Sequence, residues 1–278
     1  MKQKKLNECV VAGKITKTGC FLGKNRDRSY SPNLEVIHGL YPNFEYVMIH
    51  DKDTGYMEGV NASSGIAILN SALLNSIDFG KNPSPEGAHI AMALLKSRTV
   101  DEALKSLIKK YPVYGCTVLA TKDTITILES TKEEYKIKRY SKCDDYIVRT
   151  NHGVLMPHYG FQPADTIDYL SSVTRMANGE IVMEDVDDLD HMLSAFSYPT
   201  FGEMQRVNMV RNSDFMSTTG QIGIDLDNKI FIVKNMPGKQ NFGGVKIIGD
   251  RNQKPIYKIV IEDIEPPLKA PFTTWGMM

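Results

Sequence analysis

Short apolar segments alternate with polar turns near both ends of the chain and around its middle. Residues 9–15 and 19–23 are rich in β-branched and apolar side chains, and Thr16-Lys17-Thr18 between them predicts a β-hairpin. The same pattern predicts strands over residues 45–51, 65–69, 113–120, 124–129, 135–140, 146–150, 220–226, 229–233, 245–248 and 256–261.

Several segments between these strands have apolar residues at helical spacing, which predicts helices. Residues 85–97 carry apolar side chains on one helical face, and Thr99 with Glu102 forms a capping box that begins the next helix. Further helices are predicted over about residues 165–177 and from the acidic stretch 184–191. Blocks of strands that alternate with blocks of helices predict an α+β fold with sheets inside and helices outside.

The length suits one large globular domain or two small ones, and the absence of an internal repeat, a low-complexity linker or a composition break favours one. The chain has 278 residues, of which 42% are hydrophobic and 24% charged, and this excludes bulk disorder and fibrous architectures. Its 33 basic residues balance 33 acidic ones, so we expect no general attraction to nucleic acid. No apolar segment has the roughly 20 residues needed to cross a bilayer, so no membrane partner is expected.

The cysteine spacing and the N-terminal residues predict the cellular compartment of the protein. The four cysteines lack CxxC or zinc-ligand spacing, and the six histidines form no HxxH or HExxH pattern, so we expect free thiols and no metal site. Residues 1–8 are charged and lack the apolar stretch of a signal peptide. A cytoplasmic protein is therefore predicted.

Cys9 is the first candidate for chemistry, because it stands at the start of the first strand after a short leader. Removal of residues 1–8 would give the residue that carries the thiol a free α-amine, whose ordinary pKa of ~7.7–8.0 suits a base for that thiol. The alternative is a small buried thiol, the usual state of a cysteine in a strand.

Asp27 and Asn151 are candidates to serve such a nucleophile. Asp27 lies in a charged segment that we predict to be a turn after the second strand. In a hairpin it could reach the beginning of the first strand and hold the amine, beside a cation that favours the thiolate. Asn151 could donate its side-chain amide to a developing oxyanion, or could simply form a turn.

Two weaker candidates complete this set. Arg175 shares a helical face with Ser171, and a solvated surface position is its alternative. His152 could form a catalytic dyad with Cys116 or Cys143, although no spacing in the sequence supports one.

Several motifs, in this order along the chain, resemble the cysteine-type N-terminal-nucleophile (Ntn) hydrolases. The likeness is greatest to the isopenicillin-N acyltransferase and carcinine hydrolase branch and more distant to choloylglycine hydrolases and penicillin V acylases. It covers about residues 9–175. The motifs are Cys9-Val-Val-Ala-Gly-Lys14 with Gly23-Lys-Asn-Arg-Asp27, Gly59-Val-Asn61 with Gly65-Ile-Ala-Ile-Leu-Asn70 and Leu73, Thr99-Val-Asp-Glu-Ala103, Arg149-Thr-Asn-His-Gly153, Gly160-Phe-Gln162, and Ser171-Ser172 with Arg175.

The resemblance implies a four-layer αββα sandwich of two antiparallel sheets flanked by helices. It implies a short leader, residues 1–8, before one catalytic domain, residues 9–278. Two positions depart from the relatives: Lys24 stands where the bile-salt hydrolase branch has arginine, and Glu8 stands where some relatives have glycine. The implied roles are nucleophile for Cys9, holder of its amine for Asp27, oxyanion donor for Asn151, support of the thiol or substrate for Arg175, and substrate binding for Lys24, Arg26 and Asn70.

The implied activity is hydrolysis of a linear amide bond in an N-acylated small molecule, through a thioester on Cys9 and after autocatalytic loss of the leader. No metal or organic cofactor is implied. Transfer of the acyl group to an amine is one alternative, and a non-catalytic protein that retains the sandwich is another. The identity of the acyl and amine parts and the formation of a homo-oligomer stay open. Loops at residues 29–43 and 75–84 are expected to select the substrate.

Overall fold

The computed structural model describes residues 7–73, 86–165, 167–197, 210–211 and 216–264. Within them, the chain forms two large β-sheets and four α-helices. The helices are α1 (Glu86–Lys96), α2 (Val100–Lys105), α3 (Ile167–Asp185) and α4 (Leu189–Ala195). The strands are β1 (Asn7–Thr16), β2 (Gly19–Arg28), β3 (Asn33–Tyr41), β4 (Phe44–Asp51), β5 (Tyr56–Asn61), β6 (Ile66–Ser71), β7 (Gly115–Thr121), β8 (Thr124–Ser130), β9 (Tyr135–Tyr140), β10 (Tyr146–Arg149), β11 (Ser217–Asp225), β12 (Ile230–Asn235), β13 (Asn241–Gly249) and β14 (Lys258–Asp263).

Because side chains alternate along each strand, each sheet has one face toward the other sheet and one face toward helices. A six-stranded sheet has the order β10-β1-β2-β11-β12-β14, and an eight-stranded sheet has the order β13-β3-β4-β5-β6-β7-β8-β9. In β1, Val11 and Ile15 face the apolar core between the two sheets, whereas Val10 and Ala12 face the opposite side, toward α4. The α+β class and the pair of large sheets expected from the sequence are therefore confirmed.

Each sheet carries helices on its outer face. Helices α1 and α2 pack on the eight-stranded sheet through a second apolar core that includes Leu94 and Leu104. Helices α3 and α4 cover the six-stranded sheet through a third core. Helix α4 lies close to that sheet because Gly23 and Gly223 pair with each other across β2 and β11. A side chain at Gly23 would collide with Met192 of α4.

The sheets are antiparallel except at two pairs of the described strands, which corrects the fully antiparallel expectation. β14 pairs parallel with β12, and β13 pairs parallel with β3. The chain crosses from the six-stranded sheet to the eight-stranded sheet after β12 and returns after β13. Strands joined by a tight turn must pair antiparallel. β13 and β14 are instead reached by connections that cross between the sheets, and such connections allow parallel pairing.

Most predicted elements are present, with three corrections. Residues 24–27 do not form a turn: they continue β2, which is paired on both edges by β1 and β11. Residues 29–43 are not mainly a loop, because they contain β3. Strand β5 was not predicted, since the buried Glu58 and Gly59 interrupt its apolar pattern. The loop predicted at residues 75–84 lies outside the described residues.

The helix ends follow their predicted chemistry. The Thr99 side chain accepts a hydrogen bond from the Glu102 N–H, and the Glu102 carboxylate accepts one from the Arg98 N–H, so the capping box is present one residue wider than its standard form. Helix α3 runs to Asp185 and is longer than predicted. The acidic stretch is divided between the end of α3 and Asp188, which caps α4.

Candidate functional site

The open end of the β1–β2 hairpin holds the candidate site. The strands pair so that Cys9 lies opposite Arg26 and Glu8 lies opposite Asp27. Because successive side chains in a strand alternate, Cys9 and Glu8 point to opposite faces of the sheet. Cys9 shares the face of Val11 toward the other sheet, and Glu8 points toward α3. Both residues are only 3% exposed.

Arg28, at the end of β2, contacts the sulfur of Cys9. Its Nη1 lies 3.4 Å from Cys9 Sγ and 3.3 Å from the carbonyl oxygen of Glu8. Burial alone lowers the pKa of Arg28, but the nearby Cys9, Tyr30 and Asp51 raise it above its ordinary value, so the guanidinium stays charged. One cation is therefore placed to stabilise negative charge on both the sulfur and the carbonyl oxygen that precedes it.

Asn151 and Arg175 hold the backbone of Cys9. The Cys9 N–H donates to Asn151 Oδ1 at 3.4 Å, and Arg175 Nη1 donates to the Cys9 carbonyl oxygen at 3.5 Å. Asn151 Nδ2 donates instead to Ser71 Oγ and to the Ala72 carbonyl oxygen. The oxygen of this side chain, rather than its N–H, thus faces the nucleophile. An oxyanion role for Asn151 stays a prediction.

Asp27 reaches Cys9 through Arg175. Its Oδ2 accepts from Arg175 Nη1 at 3.3 Å, and its Oδ1 accepts from Thr218 Oγ1 at 2.7 Å. Burial raises the pKa of Asp27, while Arg175, Arg211 and the Thr218 hydrogen bond oppose that shift. The structure brings Asp27 into one cluster with Cys9, with the arginine bonded to both residues.

Glu8, from the predicted leader, and Arg211 complete this cluster. Glu8 Oε2 lies 3.0 Å from Arg175 Nη2 and 2.5 Å from Arg211 Nη1. Arg211 is anchored by its backbone, whose N–H donates to Thr218 Oγ1 and whose carbonyl oxygen accepts from the Thr218 N–H, both at 2.8 Å. Burial lowers the pKa of Arg175, and the neighbouring charge of Arg211 lowers it further. Two buried guanidiniums therefore share the carboxylate of Glu8.

Two buried groups near Cys9, one on β2 and one on β5 of the other sheet, carry donors without hydrogen-bond partners among the described residues. Arg26, opposite Cys9, is fully buried, and none of its three guanidinium nitrogens has a hydrogen-bond partner in the described part of the chain. Its nearest carboxylate is Asp51, at 3.7 Å. The Tyr56 hydroxyl is also unpaired; burial raises its pKa, and Glu58 and Cys9 raise it further. Unpaired buried donors are rare in native proteins and call for a ligand or water.

Lys24 and Asn70 belong to a neighbouring network that is internally satisfied. Lys24 Nζ contacts both carboxylate oxygens of Glu58 at 2.7 Å and the Asn70 carbonyl oxygen at 2.6 Å. Asn70 Nδ2 donates to Thr117 Oγ1 at 3.0 Å. Substrate binding by Lys24 and Asn70 stays a prediction, because each side chain has its own partner within the protein.

His152 and Cys116, the residues of the alternative Cys–His dyad, lie in different environments. His152 Nδ1 lies 2.9 Å from Ser172 Oγ and 3.2 Å from Thr150 Oγ1. Burial, with Arg149 and Arg175 nearby, lowers the pKa of His152 to about 4. Cys116 lies in the core between the sheets, where burial raises its pKa above the ordinary value. The described hydrogen bonds therefore do not form a Cys–His dyad from these two residues.

Sequence reasoning missed Arg28, Arg211 and the buried position of Glu8. Arg28 could have been found, because a strand that continues past Asp27 would bring residue 28 to the face of Cys9. Arg211 stands outside any regular element and carries no local signal. In the described part of the chain, no group of three or more His, Cys, Asp or Glu side chains could hold a metal ion.

Comparison with known proteins adds no family assignment. No protein-family model matches the chain, and no curated protein matches its sequence. Within the described ranges, none of the helices has the length and apolarity to cross a membrane.

Proposed function

We propose that this protein is a cysteine amidohydrolase of the Ntn type, in which Cys9 attacks a linear amide of an N-acylated small molecule. The two sheets with helices on their outer faces are compatible with the Ntn sandwich. Cys9 lies on the first strand, beside Asn151 and the Arg175–Asp27 pair, which are the residues that the resemblance groups around the nucleophile. In this arrangement Asn151 Oδ1, rather than Asp27, contacts the Cys9 nitrogen. A cytoplasmic location belongs to the same proposal.

The observation that carries the proposal is the double contact of Arg28. The same Nη1 atom lies 3.4 Å from the Cys9 sulfur and 3.3 Å from the Glu8 carbonyl oxygen, and its shortest hydrogen bond, 2.8 Å to the Asp27 carbonyl oxygen, holds it there. These are the nucleophile and the developing oxyanion of an attack on the Glu8–Cys9 peptide bond. Preorganised donors aimed at developing charge are usually the largest single contribution to catalysis.

The first reaction releases the leader. The Cys9 sulfur attacks the Glu8 carbonyl carbon, the C–N bond breaks, and the α-nitrogen of Cys9 takes up a proton. Water then hydrolyses the Glu8 thioester, which frees the leader as a carboxylate and returns the thiol. The freed amine lies next to Asn151 Oδ1, where a hydrogen bond would hold it in place.

The second reaction repeats this chemistry on the substrate. The amine of Cys9 accepts the proton of the thiol, and the thiolate attacks the amide carbon of the substrate. The ammonium returns its proton to the departing amine, and water hydrolyses the acyl thioester. Acyl transfer differs only in the last step, where a second amine replaces water.

The mass of the purified chain and amide hydrolysis test the proposal together. We expect the wild-type protein to lose residues 1–8 and the Cys9→Ala variant to keep them. We expect turnover of N-acyl p-nitroanilides to fall at least about 10³-fold in Cys9→Ala, because removing a nucleophile removes the whole chemical pathway. Cys143→Ala is the matched control, since Cys143 is an exposed free thiol. A wild-type chain that keeps residue 1 and hydrolyses no amide would support the non-catalytic alternative.

A further inference from the structure

We infer that the pocket now filled by the Glu8 side chain is the acyl-binding site of the processed protein, and that it selects acyl groups with a terminal carboxylate. This inference rests on the proposed function. In this inference, Arg175 and Arg211 bind the carboxylate of the substrate's acyl group after the leader has left.

The Glu8 carboxylate is bound as a substrate anion would be. It is buried, and it contacts two guanidiniums from distant parts of the chain, Arg175 in α3 and Arg211 near β11. Behind them, Asp27 pairs with Arg175 at 3.3 Å and with Arg211 at 3.8 Å. Pairs of charged donors around one carboxylate give both affinity and a defined orientation.

Loss of the leader changes the charge of this pocket. Once Glu8 leaves, the two arginines share Asp27, and Asp168, a half-buried residue of α3, also acts on Arg211. Breaking a buried ion pair by removing one partner is strongly unfavourable. Cleavage also frees an amine on Cys9, which adds a group that can carry positive charge. The processed pocket is therefore electropositive and suited to an anion.

The chemistry of self-cleavage defines which anion fits. In that reaction, Glu8 is the acyl group that is transferred to the Cys9 sulfur. Its side-chain carboxylate is separated from the reacting carbonyl carbon by three carbon atoms. A substrate acyl group that takes the same place is a five-carbon dicarboxylic chain, which is the glutaryl group or an α-linked glutamyl group. A neutral chain of equal length would leave both arginines with Asp27 but without the second carboxylate that Glu8 supplied.

Matched synthetic amides test this inference on the processed wild-type protein. We expect glutaryl p-nitroanilide to have a kcat/KM at least tenfold higher than pentanoyl p-nitroanilide, which has the same chain length without the charge. In Arg211→Met, we expect the ratio of the two kcat/KM values to fall toward one. Arg139→Met is the control, because Arg139 is exposed on β9 and its substitution should keep the wild-type ratio.

A binding measurement keeps the test decisive if Arg211→Met does not fold. Glutarate should inhibit hydrolysis of pentanoyl p-nitroanilide by processed wild-type protein competitively, and pentanoate at the same concentration should inhibit it at least tenfold less. Equal rates for the two amides together with equal inhibition by the two acids would overturn this inference and leave the proposed function intact. Absence of hydrolysis that depends on Cys9 would instead overturn the proposed function.

Discussion

The two ends of the β1–β2 hairpin both bury cations, and they satisfy them differently. Near the turn, Lys14 Nζ donates to three carbonyl oxygens at the end of α3, those of Met183, Glu184 and Val186, at 2.8–3.1 Å. At the open end, none of the three guanidinium nitrogens of Arg26 has a hydrogen-bond partner among the described residues, and its nearest carboxylate, Asp51, lies 3.7 Å away. The Nε atoms of Arg28, Arg175 and Arg211 also lack hydrogen-bond partners there.

Under the proposed function, this difference is the one expected between a structural cation and cations that serve the reaction. The three donors of Lys14 match three acceptors, and a positive charge at a helix C-terminus is favourable. A buried guanidinium with unpaired donors costs free energy, and proteins keep such groups mainly where function needs them. We therefore expect substitutions at the two ends to affect different measurements.

Among substitutions of these cations, Arg28→Met should have the largest effect. Loss of the cation beside Cys9 Sγ and the Glu8 carbonyl oxygen should lower turnover that depends on Cys9 by about 10²–10³-fold, which is typical for removal of one oxyanion donor. It should slow loss of the leader as well. The measurements are kcat/KM and the time course of the intact mass. Arg28→Lys, which keeps the charge, should recover part of both rates, and equal rates in Arg28→Met and wild type would refute the assigned role.

Lys14→Met should act on stability instead. Three carbonyl oxygens at the end of α3 would lose a charged donor, and we expect the free energy of unfolding to fall by about 2–4 kcal/mol. Turnover per folded molecule should stay within twofold of wild type. Urea unfolding and titration of active sites check the two expectations. Lys17→Met, at the exposed turn, is the control and should change neither quantity. A Lys14→Met protein of normal stability would remove the contrast between the two ends.

Arg26→Met should have the smallest effect on stability. The substitution removes a buried guanidinium that lacks hydrogen-bond partners among the described residues, but it also removes the ion-pair partner of Asp51, so the two effects oppose each other and the free energy of unfolding should change by no more than about 1 kcal/mol. Substrate binding should weaken, because Arg26 lies opposite Cys9 on the same face. The measurements are urea unfolding and KM. Marked destabilisation with a normal KM would show that Arg26 is a structural cation like Lys14.

Local patterns anticipated much of the fold and part of the site. The hairpin, most strands and the capping box at Thr99 follow from alternation, turn residues and helix-end chemistry, which act between near neighbours. The same patterns misread residues 24–27, because a run of charged residues is usually solvent-exposed. Here the run lies in β2, between β1 and β11, and is buried. Its charged side chains form ion pairs with buried partners, as Lys24 does with Glu58.

The sequence by itself determined most of the elements, their buried faces and the order of the motifs, because side-chain periodicity reports which face of a strand or helix is buried. Only the tertiary structure decided that Glu8, Arg175 and Arg211 meet, and that Arg28 touches the Cys9 sulfur. Those contacts join residues up to 203 positions apart. No local pattern encodes them, since they depend on the packing of α3 and of the segment before β11 against the end of one hairpin.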